Sequence, residues 1–238
     1  MIAGGKPNLI GISGKMGSGK DLLYNMLCEL SDIDFENKKF AYPIKWIIAV
    51  LIGCDIRQLE DREFKEKELG EEWTKYRIIT KGLPNYYVST LQEAEDNTRH
   101  SNQRYVKVVM TPRLLLQLLG TEAGREIIHP NIWVNALFAD YKDEWVDSGD
   151  SVAEEDVSKV LKEPNWIITD VRFLNEAQAI KDRGGILIRI NRPQLIERDF
   201  EHLSETALDD YDGFDYVIEN NSDSVADLVE QVKQLKIV

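Results

Sequence analysis

Apolar and polar positions along this chain predict strands and helices in alternation. The apolar run NLIGIS at residues 8–13 is typical of a short buried strand, and the next segment, DLLYNMLCEL, places its leucines and Met26 on one helical face. In the last third, NWIITDV, GILIRI and DYVIEN predict strands, and FLNEAQAIKDRG and SDSVADLVEQVKQL predict helices. Strands that alternate with helices indicate an α/β fold with a parallel sheet flanked by crossover helices.

The middle of the chain has a weaker pattern. PIKWIIAVLIG at residues 43–53 predicts a helix, with Pro in its first turn and Gly just after its end. Residues 61–81 are heavily charged and residues 86–102 are polar, which predicts a loop-rich insertion. TPRLLLQLLGTEAGREI and NIWVNALFADYKDEW predict two more helices, and residues 148–162 are predicted to be an acidic surface segment.

The composition is that of a folded, acidic protein without disulfides. The 238 residues are 43% hydrophobic, which is enough for a sizeable core. A net charge of -13 would be repelled by a nucleic-acid backbone, so we expect no nucleic-acid polymer as a partner. The only cysteines, Cys28 and Cys54, lie in apolar runs, which favours reduced thiols in a cytoplasmic protein. No signal peptide and no apolar run near the ~20 residues of a spanning helix is found, so we expect no membrane association.

Residues 14–20, GKMGSGK, match the phosphate-binding pattern G-x4-G-K. They follow a predicted strand and precede a predicted helix, the context in which this pattern is specific. Glycines tolerate the backbone angles that let N–H groups surround a phosphate, and the helix N-terminus adds its positive dipole end. Lys20 would reach the β- and γ-phosphates of a nucleotide. The alternative is a plain glycine turn, against which the strand, the spacing, the lysine and the helix all argue.

Position 21 is Asp, where such a loop normally carries a magnesium-binding Ser or Thr. A carboxylate is also a hard oxygen ligand, so Asp21 could bind Mg²⁺ directly or through its waters. It could equally be an acidic residue that favours the first turn of a helix. Both interpretations leave the loop intact.

WIITDVRF contains a second candidate for chemistry. Asp170 ends a predicted buried strand and Arg172 follows two residues later, at the sheet edge where α/β proteins bind ligands. Alone, this pair could be a solvated turn, but a phosphate loop in the same chain favours a functional role. Further cations could supply positive charge or form surface ion pairs: Lys45, Arg62, Arg125, Arg192 and Arg198.

Taken together, these segments resemble the phage-type deoxynucleoside monophosphate kinases, a branch of the P-loop nucleotide kinases. The resemblance rests on five blocks in order: SGKMGSGKD; YPIK; LLQLLGTEAGR with the downstream IWV; ITDVRFLNEA leading to GGILIRINRP; and HLSE with DYVIENN. The family itself carries Asp after the loop lysine. The resemblance implies transfer of the γ-phosphoryl of ATP to a deoxynucleoside monophosphate, with Mg²⁺, in nucleotide biosynthesis for DNA replication. It also suggests a homodimer, in the host cytoplasm if the protein comes from a phage.

The resemblance implies three sets of site residues. The catalytic residues would be Lys20, Asp170 and Arg172. The ATP-binding residues would be Gly14, Gly17, Ser18, Gly19, Lys20, Asp21, Arg192 and Arg198, with Asp21 also the candidate Mg²⁺ ligand. The acceptor-binding residues would be Lys15, Met16, Ile44, Lys45, Arg62, Arg125, Trp133, Val134, Asp170, Arg172 and Glu176.

Two of these positions carry a qualification from the sequence itself. Met16 stands where some relatives have a basic residue that touches the acceptor nucleotide, and Lys15 is expected to take over that contact. Trp133 lies between Ile132 and Val134, so composition alone predicts a core anchor there.

The implied fold is an α/β P-loop kinase formed by one domain over residues 1–238. It would contain an inserted helical acceptor-binding region at about residues 40–140 and a short lid at about residues 192–212. Water that reached the γ-phosphate would be phosphorylated instead of the acceptor. We therefore expect residues 61–110 and 192–212 to close over bound substrates.

Other functions remain open at this point. A kinase on the same scaffold could act on dephospho-coenzyme A or a sugar acid, although four acceptor-side cations suit a phosphorylated acceptor better. A nucleotide-dependent switch or binding module would bind ATP or GTP without an acceptor, but no guanine-reading N/T-K-x-D motif is found. The third alternative is an acidic α/β domain whose glycine loop binds nothing.

Overall fold

The computed structural model describes residues 7–81, 86–99, 101, 103–142, 144–147, 159–193, 203–221, 224–235 and 237. The strands are β1 (Leu9–Ser13), β2 (Glu36–Lys38), β3 (Lys75–Ile79), β4 (Tyr86–Val88), β5 (Arg104–Val108), β6 (Glu144–Asp147), β7 (Lys159–Lys162), β8 (Trp166–Val171), β9 (Ile186–Asn191) and β10 (Tyr216–Glu219). The α-helices are α1 (Lys20–Leu30), α2 (Tyr42–Ile52), α3 (Arg62–Glu66), α4 (Leu91–Thr98), α5 (Pro112–Gln117), α6 (Ile132–Phe138), α7 (Leu174–Lys181), α8 (Leu203–Thr206) and α9 (Val225–Gln234).

The chain divides into two compact units. The first unit comprises Met1–Pro43 and Ile128–Val238, and the second comprises Ile44–Ile127. Among the described residues, no helix combines the length and the apolar character needed to cross a membrane.

A five-stranded parallel sheet forms the centre of the first unit, in the order β10-β9-β1-β8-β2. This sheet confirms the predicted α/β class. In the register of the sheet, Ser13 at the end of β1 lies beside Val171 of β8 on one side and Arg189 of β9 on the other. The segments that follow β1 and β8 therefore emerge at the same edge, where parallel sheets bind ligands.

Apolar residues cover both faces of this sheet, as expected for parallel strands that are buried on each side. One core cluster joins alternate residues of the strands to α1 and α9, through Leu23, Leu27 and Val232. The cluster on the other face joins the strands to α6 and α7, through Phe138 and Ile180. The helices thus hold β1 and β8 rigidly, which fixes the positions of the loops that follow them.

The second unit contains a three-stranded antiparallel sheet in the order β4-β3-β5. The predicted loop-rich insertion is therefore wrong in this part, because residues 86–102 contain β4 and α4. The strands are short, and most of their residues are exposed or half-buried: in β3 only Ile78 is fully buried, with Ala94 of α4 also inside. So small a core leaves little apolar pattern in the sequence.

The helices predicted for residues 111–127 and 131–145 are correct only in part. α5 continues as a π-helix over Leu118–Ile128, a helix type often found at functional sites. The next predicted helix ends at Phe138, and β6 pairs antiparallel with β7 where the helix was expected to continue. The predicted acidic surface segment includes β7, and its residues 148–158 lie outside the described residues.

Candidate active site

The phosphate loop connects β1 directly to α1, as the sequence predicts. Gly19 precedes α1 in the left-handed region, with a φ of 106°, and Gly17 also has a positive φ of 86°. A side chain at Gly19 would be strained in this conformation. The turn therefore depends on glycine to bring the backbone round into the first turn of the helix.

The loop packs closely against β9 and the residue after β10. A Cβ atom on Gly14 would lie 2.5 Å from the Ile190 carbonyl oxygen, so only glycine fits there. The Asn220 side-chain amide donates to the Ser18 carbonyl over 2.9 Å. Ser18 is buried, and its hydroxyl has no hydrogen-bond partner among the described residues. The loop thus holds an unused polar group inside a rigid backbone turn.

Lys20 points back along the loop. Its Nζ donates to the carbonyl oxygens of Gly14, over 2.6 Å, and Lys15, over 2.8 Å. Burial, followed by the nearby Arg172 guanidinium, lowers the pKa of Lys20 from 10.5 to about 8, although the carboxylates of Glu205, Asp21 and Asp170 oppose this shift. The ammonium group therefore gains less from its surroundings than it lost on leaving water, and an added anion would stabilise it.

Arg172 lies at the end of β8, and Glu176 holds its backbone in place. The Glu176 Oε2 accepts the backbone N–H groups of Arg172, at 2.7 Å, and Phe173, at 3.0 Å. Glu176 is only 1% exposed. It was predicted as an acceptor-binding residue, and in the structure it fixes the turn that presents Arg172.

Glu205, in α8, contacts both Arg172 and the phosphate loop. One carboxylate oxygen accepts a hydrogen bond from Arg172 Nη1, and the other accepts the backbone N–H of Met16 over 3.2 Å. The Glu205 side chain is 15% exposed. A carboxylate therefore occupies a position beside a phosphate loop and its neighbouring cations.

A second acidic residue from the same segment binds two further cations. Asp209 pairs with Lys15 at 2.9 Å and with Arg189 Nη2 at 3.0 Å. Arg189 also donates to the Ser13 hydroxyl over 3.1 Å. A small pocket at the sheet edge is bordered by this segment, by β1 and by the ends of β8 and β9. It is lined by Ser13, Gly14, Val171, Arg172, Arg189, Ser204, Glu205 and Leu208.

Asp170, predicted to be catalytic, holds backbone on the far side of β8. Its Oδ1 accepts the N–H of Phe40 over 2.8 Å and its Oδ2 accepts the N–H of Ala41 over 2.9 Å. These groups lie immediately before α2, so Asp170 fixes the chain that enters this helix. Its charge still affects Lys20, whose pKa it raises.

Asp21 is the candidate Mg²⁺ ligand. Its side chain is 82% exposed, and the Lys39 Nζ lies 3.8 Å from its Oδ1. No group of three or more His, Cys, Asp or Glu suited to a metal occurs in the described part of the chain. A carboxylate that joins nucleotide phosphates needs no such cage, because Mg²⁺ is usually held by one or two carboxylates plus phosphate oxygens. The exposed hard oxygens of Asp21 therefore fit the ion.

Four predicted acceptor residues belong to the second unit. Lys45 is buried and pairs with Glu60 at 2.6 Å, and Ile44 is buried beside it in α2. Arg62 is exposed at the start of α3, and Arg125 is half-buried in the π-helix. Within the unit, these cations lie on three separate helical segments.

The remaining predicted residues lie in the first unit. Trp133 and Val134 are buried in α6, and the burial of Trp133 agrees with the core position that composition alone predicted. Val134 also packs in the core cluster against the sheet. Arg192 follows β9 and is half-buried, and Arg198 lies outside the described residues.

Sequence reasoning missed the roles of Glu205, Asp209, Arg189 and Asn220. Three of them lie within or beside the quoted blocks HLSE, GGILIRINRP and DYVIENN, where only the resemblance drew attention to them. One signal was available: Arg189 is the only charged residue in the predicted strand GILIRI, whose other side chains are apolar, which suggests a partner at the sheet edge.

Comparisons with known proteins agree with this geometry. The sequence model of the deoxynucleotide monophosphate kinase family matches residues 75–232, about two thirds of the chain. The chain is 24% identical over 200 residues to the "Deoxynucleoside-5'-monophosphate kinase" of Escherichia phage T5, covering 75% of this chain and 73% of that protein. It is 27% identical over 222 residues to the "Putative deoxynucleotide monophosphate kinase" of Acanthamoeba polyphaga mimivirus, covering 90% and 88%. The predicted resemblance is confirmed, and the chain belongs to the deoxynucleotide monophosphate kinase family.

Proposed function

We propose that this protein transfers the γ-phosphoryl of ATP to the phosphate of a deoxynucleoside monophosphate, giving ADP and the deoxynucleoside diphosphate. An acceptor phosphate oxygen would bond to the γ-phosphorus while the bond to the β–γ bridging oxygen breaks. The observation that carries this proposal is the meeting of the phosphate loop, Lys20 and Arg172 at one sheet edge. Phosphoryl transfer has a loose transition state, so positioned positive charge is the main requirement.

The phosphate loop would hold the β- and γ-phosphates of ATP. The backbone N–H groups of Gly17, Gly19 and Lys20, at the start of the eleven-residue helix α1, would form an anion site. Lys20 would exchange its contacts with the two loop carbonyls for phosphate oxygens. Its lowered pKa supports this role, because a phosphate would restore the charge compensation that the folded chain does not supply.

Asp21 would hold Mg²⁺ together with phosphate oxygens. When bound, the ion neutralises negative charge on the nucleotide phosphates. The support is the exposure of the Asp21 carboxylate and its place directly after Lys20, close enough to raise the pKa of that lysine. Arg192 and Arg198 are proposed as further ATP contacts, in a lid at about residues 192–212.

The acceptor needs no strong general base. The second pKa of a phosphate monoester is about 6, so its attacking oxygen is largely ionised at neutral pH. Asp170, with both oxygens engaged by backbone N–H groups, would therefore organise the start of α2. α2 carries Ile44 and Lys45, which we propose as acceptor contacts together with Arg62 and Arg125 in the insertion at about residues 40–140.

Arg172 would neutralise charge on the transferring phosphoryl group. The buried carboxylate of Glu176 fixes its backbone, so the side chain starts from a defined position. We place Lys15 near the acceptor as well, and Trp133 and Val134 behind it as packing. The net charge of -13 supports small nucleotides, and not a nucleic-acid polymer, as the ligands. A homodimer and a cytoplasmic location are proposed from the family alone.

The test is ADP release from ATP and Mg²⁺ with a panel of deoxynucleoside and ribonucleoside monophosphates, and without any acceptor. We expect release that depends on a deoxynucleoside monophosphate, and loss of this release in Lys20→Met. Lys233→Met, which removes an exposed lysine on α9, is the matched control and should retain the activity. ATP binding without acceleration by any monophosphate would contradict the proposal.

A further inference from the structure

The proposed transfer site brings two cations together before any phosphate is present. Arg172 lies close enough to Lys20 to lower its pKa, so the two side chains repel each other. The reaction nevertheless needs both groups at the same phosphoryl group. Some part of the folded chain must therefore oppose this repulsion and keep the Arg172 guanidinium near the loop.

Glu205 has the contacts to do this. One of its oxygens accepts a hydrogen bond from Arg172 Nη1, and its other oxygen accepts the Met16 N–H over 3.2 Å. The carboxylate also acts on Lys20 in the direction opposite to Arg172. The Glu205 carboxylate thus binds the Arg172 guanidinium and the loop backbone, and it also favours the charged form of Lys20.

The segment that carries Glu205 is itself anchored at the loop. Leu208 is buried in the core cluster beneath the sheet face that α6 and α7 cover. Asp209 pairs with Lys15 of the phosphate loop and with Arg189 of β9. Because Leu208 and Asp209 already order this segment, Glu205 loses less conformational entropy when it binds Arg172.

We propose that Glu205 is a positioning residue for phosphoryl transfer, whose carboxylate holds the Arg172 guanidinium beside the phosphate loop. This inference rests on the proposed function. Glu205 acts through Arg172 and does not itself contact the reacting atoms. Charge-assisted hydrogen bonds of this kind restrict an arginine far more than solvent contacts do. A guanidinium that already lies beside the phosphate loop does not have to reorganise during the reaction, whereas a freely rotating side chain would.

The experiment compares Glu205→Gln with Glu230→Gln, which makes the same change at an exposed position on α9. Both variants are also made in an Arg172→Ala background. kcat and the KM values for ATP and for the acceptor are measured under steady state, and the Arg172→Ala pair is compared in single turnovers. Thermal unfolding verifies that each variant is folded.

We expect Glu205→Gln to lower kcat roughly ten- to hundredfold with little change in the KM for ATP. In the Arg172→Ala background the same substitution should alter the rate by less than about twofold, since its effect passes through the arginine. Glu230→Gln should match the wild type. If Glu205→Gln does not fold, Glu205→Asp, which keeps the charge but shortens its reach, should show the same dependence on Arg172.

Two results would overturn the inference. One is an equal loss of rate with and without Arg172, which would give Glu205 a separate role. The other is an unchanged kcat with tighter ATP binding, which would make the carboxylate an internal competitor for the phosphate loop. If the wild-type protein itself shows no monophosphate-dependent ADP release, the proposed function fails, and that outcome is distinct from both.

Discussion

Lys20 in the first unit and Lys45 in the second are both largely removed from water, yet their charges are compensated by different groups. Lys45 meets a carboxylate, Glu60, at 2.6 Å. Lys20 hydrogen-bonds to two neutral carbonyls, and burial and Arg172 together outweigh the carboxylates around it. A lysine already paired with an acid has less to gain from an anionic ligand than one that is not. The comparison indicates that the phosphate loop keeps charge available for a ligand at a cost in stability.

The largest effect is expected when Arg172 is removed from its place beside Lys20. Arg172→Ala should lower kcat by roughly 10³–10⁵, because an arginine that neutralises a transferring phosphoryl can contribute that much. Steady-state and single-turnover rates of ADP formation would measure the loss, and circular dichroism would verify that the fold is retained. Near-normal turnover of a folded Arg172→Ala protein would remove this residue from the mechanism.

The next test concerns the stability cost at Lys20. Without nucleotide, Lys20→Met should raise the free energy of unfolding at pH 7 by roughly 1–3 kcal/mol. The pKa of Lys20 is about 8 in the folded chain and 10.5 when unfolded, so below pH 8 both states are charged and the full cost applies. Between pH 8 and pH 10.5 the folded state loses its proton first, so wild-type stability gains and the difference shrinks.

Urea unfolding at pH 7 and pH 10 would measure this difference. Lys233→Met removes an exposed lysine and should change stability by less than about 0.5 kcal/mol at both pH values. A Lys20→Met variant less stable than the wild type at pH 7 would show that the carbonyl contacts outweigh the cost of burial.

Substitutions of Asp170 and Asp21 should distinguish a structural carboxylate from a ligand-binding one. Asp170→Asn replaces one acceptor oxygen with an NH₂ group that faces a backbone N–H, so we expect a loss of about 1–3 kcal/mol in unfolding free energy. Asp21→Asn, at an 82% exposed position, should cost less than about 0.5 kcal/mol but increase the Mg²⁺ concentration needed for turnover. Thermal unfolding and Mg²⁺ titrations of ADP release would measure the two effects, and equal stability losses would contradict this division.

The smallest effect is expected in the second unit. Arg62→Ala should raise the KM for the acceptor about tenfold with little change in kcat, as for a residue that binds ground and transition states equally. Lys65→Ala, in the same short helix α3, is the matched control and should leave the KM unchanged. An unchanged KM in Arg62→Ala, or the same increase in both variants, would exclude Arg62 from the acceptor site.

Prediction from the sequence succeeded where structure is local and failed where it is not. The strand, glycine turn and helix around residues 9–30 occur as predicted, because their geometry depends on near neighbours. The sheet of the second unit was missed, since its short, largely exposed strands bury so few apolar side chains. The helix predicted beyond Phe138 failed for a related reason: a helical pattern in seven residues does not show where the helix ends.

The sequence by itself determined the class of fold, the phosphate loop and the family, because each can be recognised from short contiguous segments and their order along the chain. Only the tertiary structure decided which side chains meet at that loop. Glu205 reaches the backbone of Met16 across 189 positions, and Asp170 reaches Phe40 across 130. Such contacts depend on the order of strands in the sheet and on the burial of anchors such as Leu208, which no local pattern of residues specifies.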